Sequence, residues 1–116
     1  EGTTGDGAAL KDFRAFFFDI PARLGSGIQP VSVKYIHGTC TYTLQMDKNI
    51  AWHGDMQLIH HLWQLLGMKR INAVLHFNPA INYVQTEKTS AEARKLLSSA
   101  ACEIIRDGLS RPAVCA

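Results

Sequence analysis

Ile28-Gln29-Pro30-Val31-Ser32-Val33-Lys34-Tyr35 reads as a β-strand and sets the class of the fold. Val31, Val33 and Tyr35 alternate with Ser32 and Lys34, so the two sets point to opposite faces. Pro30 near the strand entry costs only one ladder donor. His37-Gly38 is expected to turn the chain, and residues 39–51, polar and β-branched without a clear period, read as a loop with at most one short strand.

Working backward, Asp12 in the run from Ala8 to Phe18 can cap a helix that follows it, with Phe13, Phe16, Phe17, Ile20 and Leu24 as one broad apolar face. An aromatic stripe at this spacing is expected in the core, although it could also meet lipid or an acyl chain. Pro21 must kink this helix or split it in two. Gly25-Ser26-Gly27 ends the segment.

Working forward, Asp55 is expected to cap a helix with Met56, Ile59, Leu62, Trp63 and Leu66 on its apolar side and Gly67 as its left-handed stop. Ile71 to Phe77 predicts a second strand. Ile71, Ala73, Leu75 and Phe77 fall on one face, Asn72, Val74 and His76 on the other, and Asn78-Pro79 closes it. After a loop over 80–88, Ser90 caps a last helix from Ala91 to Asp107. Its inward residues are Ala93, Leu96, Leu97, Ala100, Ala101, Ile104 and Ile105, and Gly108 stops it.

Helix, strand, helix, strand, helix is the order of an α/β protein with right-handed crossovers and a partial mixed or parallel sheet with flanking helices. Two strands alone make a marginal sheet, so partner strands are expected upstream of Glu1. The chain of 116 residues fits one domain over residues 1–109 with a disordered tail over 110–116.

Net charge is +2 with acids and bases interspersed, which leaves no clustered Lys/Arg footprint for nucleic acid and no polybasic membrane patch. Cys40, Cys102 and Cys115 form an odd set without a Cys-x-x-Cys pair, against a disulfide framework or zinc knuckle and in keeping with a reducing compartment. His53, Asp55, His60 and His61 crowd one region, but adjacent histidines diverge on a helix, so no metal is expected there. Ser26, Ser32, Ser98 and Ser99 lack the setting of a hydrolase nucleophile.

The opening run Glu1-Gly2-Thr3-Thr4-Gly5-Asp6-Gly7 packs glycines, hydroxyls and carboxylates into a tight turn, where backbone N–H groups and Thr hydroxyls can approach a polar ligand. With the Pro30 strand, Ala51-Trp52-His53-Gly54-Asp55-Met56, the Leu62-Trp63 helix and the strand ending at Phe77-Asn78-Pro79, it resembles the glycerolipid acyltransferases of the lysophosphatidate acyltransferase (PlsC-like) family. The likeness runs from residue 1 to about 108 and corresponds to the C-terminal half of that fold.

The resemblance implies transfer of a fatty acyl group from an acyl-CoA or acyl carrier protein thioester to the free hydroxyl of 1-acylglycerol 3-phosphate, giving phosphatidate. It carries Glu1, Gly2, Thr3 and Pro30 over as substrate-binding residues lining the acceptor pocket, with no bound cofactor. The family's base is the His of a His-x-x-x-x-Asp block. Here the fifth residue after His37 is Tyr42, after His53 Leu58, after His60 Leu65, after His61 Leu66 and after His76 Ile81. The Arg-bearing phosphate block and the Phe-Pro preceding Glu-Gly-Thr are absent as well. Base and phosphate clamp are therefore expected upstream of Glu1, and the chain alone is expected to be inactive.

The resemblance also implies partners, namely a lysophospholipid, an acyl thioester and, through the missing N-terminal part, the cytoplasmic face of a membrane. The chain itself would be soluble or aggregation-prone. The alternatives are an acyltransferase for another lysolipid, such as an ornithine lipid, and a non-catalytic α/β module that docks lipid or a partner.

Overall fold

The computed structural model describes residues 1–37, 49–83 and 89–112. Its elements are a 3₁₀ turn over Ala15–Phe18 and α1 over Asp19–Leu24, then β1 over Val31–His37 and α2 over Leu58–Gly67, then β2 over Ile71–Phe77 and α3 over Ser90–Ser110. Helices thus flank a small sheet, in agreement with a mixed helix-and-strand fold.

The pairing of the strands corrects one expectation. β1 and β2 are antiparallel, from Val31 opposite Phe77 to His37 opposite Ile71. A parallel pair needs its crossover helix laid on the sheet. α2, the helix between the strands, buries only His61, half-buries Leu65 and leaves its other side chains exposed. The chain therefore returns alongside β1 in the opposite direction. A single antiparallel bridge continues the pairing, with Ile28 N donating to Ile81 O at 3.0 Å and Ile81 N to Ile28 O at 2.9 Å.

Both strands alternate as the sequence predicts, but the sheet is covered on its polar side. Ser32, Lys34 and Ile36 are buried, and β1 packs on α3. The apolar side, with Tyr35, Leu75 and Phe77, lies open; Phe77 is 68% exposed. Close approach of α3 makes this arrangement possible. Gly108 is buried, and a Cβ there would overlap Ser32 Oγ and the Asn78 side-chain amide. Gly108 is thus a contact point inside α3 rather than its stop. The helix runs on to Ser110, inside the stretch expected to be a disordered tail. Residues 113–116 of that tail lie outside the described residues.

The hydrophobic core sits beside the sheet. Ala22 of α1, Ala93 and Leu97 of α3 and Tyr83 form it, with Phe18, Ile28 and Ile81 packed against them. Of the residues expected inward on α3, Ala93, Leu97 and Ala101 are buried, while Leu96 is exposed. Asp19 joins α1 to α3 through an ion pair with Arg94 at 3.2 Å, and pairs with Arg23 of its own helix at 2.8 Å.

The aromatic stripe before α1 departs from its expectation. Residues 10–14 are not helical, Asp12 caps nothing, and Phe16, Phe17, Ile20 and Leu24 are exposed. Pro21 divides the segment into a 3₁₀ turn and α1. It stands in the first turn of α1, where the missing N–H would have no helical partner anyway. Gly25 closes α1 in the left-handed conformation, at φ 61°.

Caps shift in the same way. Gln57 precedes α2 without a side-chain cap, so Asp55 lies too early to serve, and Gly67 is followed by an extended Met68. For α3 the cap is Thr89 rather than Ser90. Thr89 N and Oγ1 donate to Glu92 Oε2 at 3.1 and 2.8 Å, and Glu92 N donates back to Thr89 Oγ1, a reciprocal capping box. The expected turn at Gly38, most of the 39–51 loop, and residues 84–88 of the later loop fall outside the described residues.

Candidate functional site

The opening loop is held by its own neighbours. Lys11 N donates to Glu1 Oε1 at 2.8 Å and Lys11 Nζ to Thr4 O at 3.1 Å, which folds the loop back on itself. Gly2 adopts φ 73°, a conformation that favours glycine. A Cβ on it would stand 3.0 Å from the Phe17 ring and 3.2 Å from Arg14 Cδ. The backbone angle favours glycine here, a side chain would also press on Phe17 and Arg14, and Glu1 acts as a loop pin. Gly2 and Thr3 are exposed.

Pro30 occupies a different environment. It is buried, and its carbonyl accepts from Asn78 N at 3.0 Å and Asn78 Nδ2 at 3.5 Å. The contacts of Glu1 and Gly2 lie on Lys11, Arg14 and Phe17, those of Pro30 on Asn78. The two sets share no residue.

A cleft of about 230 Å³ opens instead at the C-terminal end of α3, between Ser32, Lys34, Val74, His76, Gly108 and Arg111. Its chemistry is built from the polar strand faces. Lys34 is 6% exposed, and its ammonium donates to Arg111 O, just beyond the last turn of α3. A cation suits the negative end of a helix dipole. Burial pushes the Lys34 amine below its ordinary value. The Arg111 guanidinium donates to His76 Nε2 at 2.9 Å and to Asp107 Oδ2 at 2.7 Å.

This bonding limits what the cleft can do. Arg111 donates to the Nε2 lone pair of His76, so that nitrogen is engaged within the cleft. Ser32 Oγ donates to Ile105 O at 3.1 Å and accepts from Asn78 Nδ2 at 2.9 Å, which binds it to structure rather than freeing it as a nucleophile. The cleft is therefore a structural lock with one polar mouth. Sequence reading missed it because polar strand residues are ordinarily taken as solvent-facing. The signal was present in the shared parity of Ser32, Lys34, His76 and Asn78.

Comparisons with known protein families, with curated proteins and with solved structures find no match.

The remaining histidines stand apart from one another in role. His61 is buried with Nε2 3.2 Å from Ile50 O, so Nε2 carries the proton in that bond. His60 is exposed, 3.3 Å from Gln64 Nε2. No three potential metal ligands converge among the described residues. Cys102 is buried, with its sulfur 3.4 Å from an Arg106 guanidinium nitrogen; Cys40 and Cys115 lie outside the described residues. No helix among the described residues is long and apolar enough to cross a membrane.

Proposed function

We propose that this chain is the C-terminal part of a glycerolipid acyltransferase. The parent enzyme moves a fatty acyl group from an acyl-CoA or acyl carrier protein thioester onto 1-acylglycerol 3-phosphate or a close lysolipid relative. The observation that carries this reading is the Glu1-Gly2-Thr3 turn. Its glycine stands at a backbone angle that favours glycine and close to Phe17 and Arg14, as a loop presenting its backbone to a polar ligand would need.

Two further features support it. The apolar side of the β1–β2 sheet is bare, which fits a layer laid over that face by polypeptide beyond the described residues. The histidine of the cleft is already engaged by Arg111, in keeping with a general base supplied from elsewhere. Against a site shared by Glu1, Gly2, Thr3 and Pro30 stands their lack of common contacts, so Pro30 is assigned to strand entry and Glu1 to Thr3 to the pocket wall.

The test is the reading frame upstream of Glu1, followed by an acyl-transfer assay. A His-x-x-x-x-Asp block followed by an Arg-bearing block is expected in frame. The 116-residue chain should be inactive and the longer polypeptide active, because a general base is worth roughly 10²–10⁴ in rate. A stop codon or an unrelated domain in that position overturns the enzyme reading. It would favour the second one, a non-catalytic module that docks lipid or a protein, which the exposed apolar faces also suit.

A further inference from the structure

α2 is amphipathic in the inverted sense. Its one buried residue is a histidine, His61, while Ile59, Leu62, Trp63 and Leu66 recur at i, i+3, i+4 and i+7 and all face solvent. Trp63 is 70% exposed. It stands where the apolar stripe meets the polar edge formed by His60 and Gln64, which are 3.3 Å apart. A ten-residue helix is far shorter than the ~20 residues a bilayer span requires. Beyond Asp55, which precedes the helix, the neighbouring charge has one sign. From Met56 to Thr86 the sequence holds no carboxylate, and its charged residues are Lys69 and Arg70, just past the helix.

We propose that α2 is a membrane-surface helix. Its Ile59, Leu62, Trp63 and Leu66 face enters the boundary between headgroups and acyl chains of an anionic lipid surface, and Lys69 and Arg70 meet the lipid phosphates. An apolar helix lying in the interface plane draws its affinity from buried apolar area together with attraction between basic residues and anionic lipid. An indole at the border of an apolar stripe suits the headgroup level. A protein partner of matched charge would need acids at the C-terminal end of the helix; an anionic bilayer presents them everywhere. This inference is independent of the acyltransferase reading.

The test uses the 116-residue chain with vesicles of phosphatidylcholine alone and of phosphatidylcholine with phosphatidylglycerol. In the W52F variant Trp63 is the sole indole. Its emission should shift to the blue with the anionic vesicles and be quenched by brominated acyl chains. L62E and L66E should each weaken co-sedimentation about tenfold or more. Replacing both Lys69 and Arg70 by Gln should weaken it by about tenfold to thirtyfold. All four side chains are exposed, so the melting curves should stay in place. Trp63 emission unmoved by anionic vesicles, or L62E and L66E partitioning like the unaltered chain, overturns the proposal. So does self-association abolished by L62E in a chain that ignores vesicles, which would make the stripe a contact between copies.

Discussion

Asn78 donates its side-chain amide to Ser32 Oγ at 2.9 Å, directly beneath the point where α3 passes with no side chain at Gly108. This contact lets a helix lie on the polar side of a sheet. Ser32 Oγ in turn donates to Ile105 O, so the buried hydroxyl and the amide nitrogen of Asn78 meet partners, while Asn78 Oδ1 is buried without one among the described residues.

Gly108→Ala tests that contact. Alanine favours helices over glycine by about 1 kcal/mol, but its methyl would overlap Ser32 Oγ and Asn78. Overpacking of this kind costs about 1–3 kcal/mol, so the variant should melt at lower temperature than the unaltered chain. Ser32→Ala removes the nearest atom. The double variant should therefore be less destabilised than the sum of the two single ones in urea titrations.

The Thr89–Glu92 capping box holds the start of α3. Thr89→Ala should cost about 1 kcal/mol, read as a lowered urea midpoint with an unchanged slope. Ser90→Ala should cost little, since the cap is one residue earlier than the sequence suggested.

Leu97 and Leu96 are neighbours in sequence with opposite fates. Leu97 is 1% exposed and Leu96 is 49% exposed. Leu97→Ala should cost about 2–5 kcal/mol through lost contacts and the cavity left behind. Leu96→Ala should fall within about 0.5 kcal/mol of the unaltered chain. Equal effects in thermal melts would place the core elsewhere.

Lys34 gives the chain an alkaline signature. Its amine is held below the ordinary lysine value of 10.5 by desolvation. Between the lowered and the ordinary value the unfolded chain binds more protons than the folded one, so stability rises with pH through that window. The penalty is present in full below the folded-state value and fades as the amine loses its proton. Lys34→Met removes the titrating group. The stability of the unaltered chain relative to this variant, measured by urea unfolding, should increase as pH climbs from neutral toward 10.5.

Much of the secondary structure was legible in the residues. β2 runs from Ile71 to Phe77 as alternation predicts, and Ala93, Leu97 and Ala101 face inward on α3. Burial of the strand faces was not legible. Alternation tells which residues share a face, not which face is covered, and Lys34 would ordinarily be placed in water. Only the Lys34 bond to Arg111 O, distant in sequence, reverses that choice. Strand direction was misread for a related reason, because a crossover was assumed for a helix that lies away from the sheet. The lock around His76 and Arg111 depends on α3 reaching past Gly108, where glycine was read as an end. In the opening turn the need for a small residue at Gly2 was legible, while its proximity to Arg14 and Phe17 was not, since nothing in their spacing ties them to the turn.

Strands β1 and β2 meet across residues 38–70, and α3, the last element among the described residues, covers their inner side. Contacts this far apart in sequence form late. On a ribosome, Ser32 and Lys34 emerge long before Ile105 and Arg111, the groups that accept their hydrogen bonds. A synthesis arrested ahead of Ser90 would release two strands with hydrated inner faces and a greasy outer one. In such a product Ser32 and Lys34 would lack the carbonyls that accept their hydrogen bonds, so the inner face would stay wet until α3 is made.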